Sequence, residues 1–84
     1  MSSTFSGDDV MTVLVNVGNF YVSNVRGDDF VLKWEPPADH ENTDSRTVTV
    51  PRHDEISEGT LKNIGEQAGM DDFQRFKAWI DRNR

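Results

Sequence analysis

Thr47-Val48-Thr49-Val50-Pro51-Arg52-His53, followed closely by Ile56-Ser57-Glu58-Gly59-Thr60-Leu61, decides how the chain is read. The first four residues alternate polar and apolar β-branched side chains, the pattern of a strand with one buried face. Pro51 has no amide hydrogen for a ladder and closes the strand. Ser57 then stands where a helix needs an N-cap, with Ile56 and Leu61 at the two staple positions. That helix is expected to run through Ala68, bury Leu61, Ile64 and Ala68, and stop at Gly69. A strand feeding directly into a capped helix implies that the two share a core.

Working upstream, Phe20 to Val25 and Phe30 to Trp34 are rich in β-branched and aromatic residues and are joined by Arg26-Gly27-Asp28-Asp29. This is a hairpin signal, with Gly27 supplying the positive φ of a tight turn. A two-residue Gly27-Asp28 turn pairs Val25 with Phe30 and Tyr21 with Trp34. It puts Tyr21, Val25, Phe30, Leu32 and Trp34 on the core face and Arg26, Asp29, Val31 and Lys33 on the other. Pro36-Pro37 stops the second strand, and Ala38 to Ser45 reads as a polar loop carrying Asp39, His40, Glu41 and Asp44.

Nearer the N-terminus, Ser6 and Asp9 form a capping box with Phe5 and Val10 as its staple. Val10, Val13, Leu14 and Val17 follow at helical spacing, and Gly18 offers the stop. Downstream of Gly69, a last helix is expected from about Asp71, with Gln74 at the capping-box position and Phe73, Phe76 and Ile80 on its apolar face. Trp79 lies at the margin of that face. The expected fold is α+β: an α-β-β-β-α core with an extra C-terminal helix, a three-stranded antiparallel sheet packed on helices, and one domain over residues 1–84.

With 84 residues, folding buries only ~60–65% of the unfolded surface, so the core must be continuous. The absence of cysteine excludes disulfides, zinc–thiolate sites and a thiol nucleophile. No apolar run is long enough to span a membrane and no signal-peptide core is visible, so a soluble cytoplasmic protein is expected. Fifteen acidic residues stand against nine basic ones, of which only Lys33, Lys62 and Lys77 are lysines. Such a balance repels phosphate at long range. It suits a partner with a basic surface, or a halophilic-type protein in molar salt, where the Debye length is ~3 Å and distant carboxylates are screened.

The Val-Pro-Arg-His segment, the Gly59-Thr60-Leu61 helix start and the Gln67-Ala68-Gly69 close, in this element order, resemble the HicA family of messenger-RNA interferase toxins. The resemblance covers roughly residues 6–69; the helix at about 71–83 looks like an extension. It implies a fold like that of double-stranded-RNA-binding domains, ribosome-independent RNA cleavage without metal or other cofactor, and inhibition by a HicB-like antitoxin. In the family the catalytic histidine follows the turn glycine as Gly-Ser-His; here the stretch is Gly27-Asp28-Asp29. Histidine, with a pKa of ~6.5, can both take and give a proton near neutrality. Aspartate, ordinarily near ~3.9, has almost none to give.

Asp29 is thus the catalytic position by resemblance, with a turn residue as its plainer reading. His53 is the other acid–base candidate in the motif, or a polar residue closing a loop. His40 reads as solvated surface. Arg26, Lys33, Arg46, Arg52 and Lys62 are the candidate RNA-binding residues, unless they pair with surface carboxylates. Tyr21, Phe30 and Trp34 read as core rather than as stacking platforms. Two functions stand: an RNA-binding member of the toxin family with weak or lost endonuclease activity, or a non-catalytic module that binds a protein such as a HicB-like antitoxin.

Overall fold

A computed structural model describes residues 4–36 and 45–84. The order is α1 (Gly7–Asn16), β1 (Tyr21–Arg26), β2 (Asp29–Trp34), β3 (Arg46–Pro51), α2 (Glu58–Gln67) and α3 (Phe73–Asn83). The strands form one antiparallel sheet in the order β1-β2-β3. Helices cover one face of it, which gives the expected α+β arrangement.

Each helix start has a local cause. Ser6 accepts from the Asp9 amide while Asp9 reaches back to the Ser6 amide, completing the capping box, and Phe5 and Val10 are both buried. Ser57 accepts from the Thr60 amide, with Ile56 and Leu61 buried as its staple. α2 ends as expected at Gly69, whose φ is +86°. Met70 N–H donates to Gly65 C=O and Gly69 N–H to Glu66 C=O, the paired bonds of a Schellman motif.

The core joins Phe5, Val10, Val13 and Leu14 to Leu32, Val48 and Val50 of the sheet and to Leu61, Ile64, Phe76 and Ile80 of α2 and α3. Phe30, Trp34, Ala68, Phe73 and Trp79 are partly buried against it. Gly65 lets α2 and α3 approach closely, since a Cβ there would press on the Phe76 ring at 3.0 Å. Arg84 ties the end of α3 to the start of the chain. Its guanidinium donates to Thr4 C=O (2.7 Å), pairs with Asp81 (2.9 Å) and Asp9 (3.5 Å), and lies 4.6 Å over the Phe5 ring.

Several expectations are corrected. β1 is solvent-exposed throughout, so Tyr21 and Val25 are not core residues. Val25 does pair with Phe30, but a bulge between Val22 and Asn24 shifts the ladder, and Tyr21 pairs with Lys33 instead of Trp34. Phe20 lies just before the strand, buried. Val17 is exposed as the C-cap of α1. The left-handed residue after α1 is Asn19 (φ +62°), not Gly18. Gly18 is required for space instead: a Cβ would sit 2.8 Å from Leu14 C=O and press on Phe20 and Trp79. α3 is capped by Asp72, which accepts from the Arg75 amide, so Gln74 plays no capping-box part.

Gly7 fixes the approach of α1 to the sheet, because a Cβ there would overlap the Pro51 carbonyl. Gly7→Ala is expected to cost ~1–3 kcal/mol through forced backbone shifts, and each 1 kcal/mol lowers Tm by ~4–8 °C in a domain of this size. Gly59→Ala, in the first turn of α2 with open space around it, is expected to raise stability by ~0.4–1 kcal/mol. Thermal unfolding of the two variants beside the parent protein checks both signs.

Candidate functional site

Three segments meet at one end of the sheet. Across the β1–β2 ladder Arg26 faces Asp29, and across the β2–β3 ladder Asp29 faces Pro51. The ladder continues one step further, with Arg52 N–H donating to Asp28 C=O at 2.6 Å. His53 C=O then accepts from Gly7 N–H at 2.8 Å, bringing in the N-terminus of α1. Gly27, with φ +55°, opens the intervening turn, and Asp28 does not share its positive φ, the pattern of a type II′ hairpin.

Asp29 is half-buried as the first residue of β2, and Asp28 beside it is exposed. The Asp29 carboxylate makes no hydrogen bond or ion pair among the described residues, not even with Arg26 across the turn. His53 is exposed. Its main chain is engaged, yet its imidazole has no hydrogen-bond partner among the described residues, so no orienter fixes a tautomer. His40 lies outside the described residues, as do Asp39, Glu41 and Asp44 of the expected loop.

The five candidate cations do not form one patch. Cross-strand partners share a face, so Arg26 and Lys33 lie with Asp29, Val31, Thr47 and Thr49 on the open face of the sheet. Arg52 stacks its guanidinium 5.1 Å over the Phe30 ring, on the helix side. Arg46 lies 5.7 Å over the Trp34 ring at the far end of β2 and packs against Gly69. Lys62 is exposed on α2. Phe30 and Trp34 are thus half-buried platforms for arginines.

Among the described residues the ion pairs use Arg75, Lys77 and Arg84, all on or just after α3. None of Arg26, Lys33, Arg46, Arg52 and Lys62 pairs with a carboxylate among the described residues.

Sequence reasoning did not foresee the contacts of Gln67 and Glu35. Gln67 Oε1 accepts from Thr49 N–H at 3.1 Å and occupies the outer edge of β3. Tyr21 Oη donates to Glu35 Oε1 at 3.1 Å on the open face. Both contacts join positions that no local spacing relates.

Among the described residues no group of three or more His, Asp or Glu side chains is arranged to hold a metal ion, and no helix is long and apolar enough to cross a membrane. A shallow cavity of about 310 Å³ at the α2–α3 junction, lined by Gly69, Met70, Asp71, Asp72 and Arg75, includes none of the candidate residues.

The geometry defines a small α+β domain whose hairpin turn, strand-three exit and first helix meet at one end of an open sheet. Residues 7–70 match the family described as the HicA toxin of bacterial toxin–antitoxin systems, and the chain belongs to that family. Membership implies, in general terms, a HicB antitoxin as partner and messenger RNA as target. The match ends before α3. No curated protein and no solved structure matches the chain.

The Tyr21 hydroxyl is held above its ordinary pKa of 10.0, first by its hydrogen bond to Glu35, then by desolvation and the Glu35 charge. Glu35→Gln is expected to bring the titration down toward 10.0. The chain has one tyrosine, so an ultraviolet pH titration reads it directly; an unmoved midpoint rules the contact out.

Proposed function

We propose that this HicA-family protein binds RNA but is a weak or inactive endonuclease, because Asp29 stands where the family carries its catalytic histidine. The observation that carries the reading is the Asp29 setting: a half-buried carboxylate at the first position of β2, without a hydrogen-bonded partner among the described residues. Cleavage through the 2′-hydroxyl needs one group to take that proton and another to protonate the leaving oxygen. An ordinary aspartate near neutrality takes a proton only weakly and has almost none to give, whereas general acid–base catalysis contributes ~10²–10⁴-fold. A second carboxylate at Asp28 adds repulsion toward the scissile phosphate.

Among the described residues His53 is the imidazole at this end of the sheet, and its unoriented ring suits a loop residue better than a proton-transfer group. RNA contact falls to Arg26 and Lys33 on the open face and to Arg52 beside the turn, with Arg46 and Lys62 more remote. The acid excess makes these short-range contacts, in keeping with function at raised salt. The same excess favours a second reading, in which the scaffold serves chiefly to bind a protein with a basic surface, such as a HicB-like antitoxin.

The decisive experiment incubates the protein with single-stranded RNA, without added metal, beside an Asp28→Ser/Asp29→His variant. Little cleavage is expected from the parent protein and an increase of ~10²-fold or more from the variant. Cleavage by the parent that Asp29→Ala abolishes would overturn the proposal. RNA retention weakened by Arg26→Ala or Lys33→Ala, with the salt slope reduced by about one per lost phosphate contact, supports RNA binding. Failure of the parent to retain RNA, with capture of a HicB-like protein intact, selects the second reading.

A further inference from the structure

The two edges of the sheet differ. The outer side of β3 is occupied by Gln67, which takes the Thr49 amide. Among the described residues no strand lies beyond the outer side of β1, and all of β1 is exposed. Tyr21, Val22 and Val25 are 45%, 42% and 47% exposed, so this one strand carries three of the four large apolar side chains left open to solvent among the described residues. An edge of that kind is a template for another strand.

The bulge determines which strand fits. In antiparallel pairing, residues directly opposite share a face. If a regular six-residue strand pairs with its own copy end to end, Tyr21 meets Arg26 and Val22 meets Val25. Each pair then combines an odd position with an even one, on opposite faces, and the match fails. β1 is not regular. Ser23 is skipped in the ladder, so Val22 opposes Leu32 and Val25 opposes Phe30, both on the helix side. Tyr21 opposes Lys33 and Arg26 opposes Asp29, both on the open side. The extra residue reverses the alternation halfway along, and the face pattern reads the same in both directions.

We propose that β1 pairs antiparallel with β1 of a second copy of this chain, about a two-fold axis passing between Ser23 and Asn24. Val22 then packs against Val25 of the second copy on one face, and the reciprocal contact forms by symmetry. On the other face Arg26 meets Tyr21 of the second copy together with the Glu35 that Tyr21 holds at 3.1 Å. That places a guanidinium against a carboxylate and an aromatic ring, twice. The charges are complementary at the contact although each copy is acidic overall.

Two features keep the association weak. Each copy carries a formal net charge of −6, which opposes approach. In the single chain Asn24 Oδ1 accepts the Val25 amide at 2.9 Å and must swing aside to release it. Strand-edge pairing of this extent buries less than ~1,000 Å², the range of transient contacts.

Because the chain has no cysteine, Ser23→Cys introduces a single thiol beside the axis, where two copies come within the ~4.4–6.8 Å Cα separation a disulfide requires. Under mild oxidation this variant is expected to form a covalent dimer at least ~10-fold faster than Glu66→Cys, placed on the exposed side of α2. Sedimentation equilibrium of the unmodified chain is expected to show a reversible dimer, weakened about tenfold or more by Val22→Lys. Arg26→Glu is expected to weaken it as well, and Arg26→Glu/Glu35→Arg to recover it. Circular dichroism confirms the fold of each variant. A chain that stays monomeric up to millimolar concentration, cross-linking no faster than the α2 control, or a dimer indifferent to Val22→Lys would each overturn the proposal.

Discussion

Gly7 N–H donates to His53 C=O and Ile56 N–H donates to Phe5 C=O, both at 2.8 Å, and these two main-chain bonds set the geometry around them. They hold the N-terminal turn of α1 against the segment leaving β3, so that backbone groups taken from water find partners in each other. With the segments so joined, Phe5 and Ile56, each a staple residue for its own helix, enter a common core. The Pro51 carbonyl comes so close to Gly7 that no side chain fits there. The Val-Pro-Arg-His pattern therefore has a main-chain reason to exist that is independent of what the His53 imidazole does. Retention of the motif is evidence of scaffold, and the chemistry has to be argued from side chains.

The same distinction explains what was legible in the sequence. Capping boxes and staples are encoded within a few residues, so Ser6, Asp9, Ser57 and Gly69 reveal their helix ends directly. The β2–β3 alternation was legible because both strands bury one face, and a period of two then marks Leu32, Val48 and Val50. β1 was misread because, unlike β3 at the other edge, it buries neither face. Tyr21 and Val25 carry strand propensity without burial, and the Ser23 bulge leaves no mark in a pattern that is exposed on both sides. Gly18 misled because glycine serves both left-handed backbone and close packing, and here crowding by the Leu14 carbonyl, with Trp79 and Phe20 beside it, is the cause. At the candidate site, the residue types could be named in advance. Their separation into open-face and helix-side groups depends on pairing between distant segments.

The charge distribution is the remaining constraint. Carboxylates outnumber cations in the chain, yet the observed ion pairs are made by cations on or after α3, beyond the matched segment. Within residues 7–70, Arg46 and Arg52 lie over the Trp34 and Phe30 rings instead. An arginine on an aromatic face keeps its in-plane donors free, which is the geometry that phosphate or carboxylate recognition requires. The long-range field of such a protein repels polyanions while its contact-range donors can still bind them. Recognition must then rest on hydrogen-bond geometry more than on accumulated charge, and an anion that fits only loosely gains little from approaching.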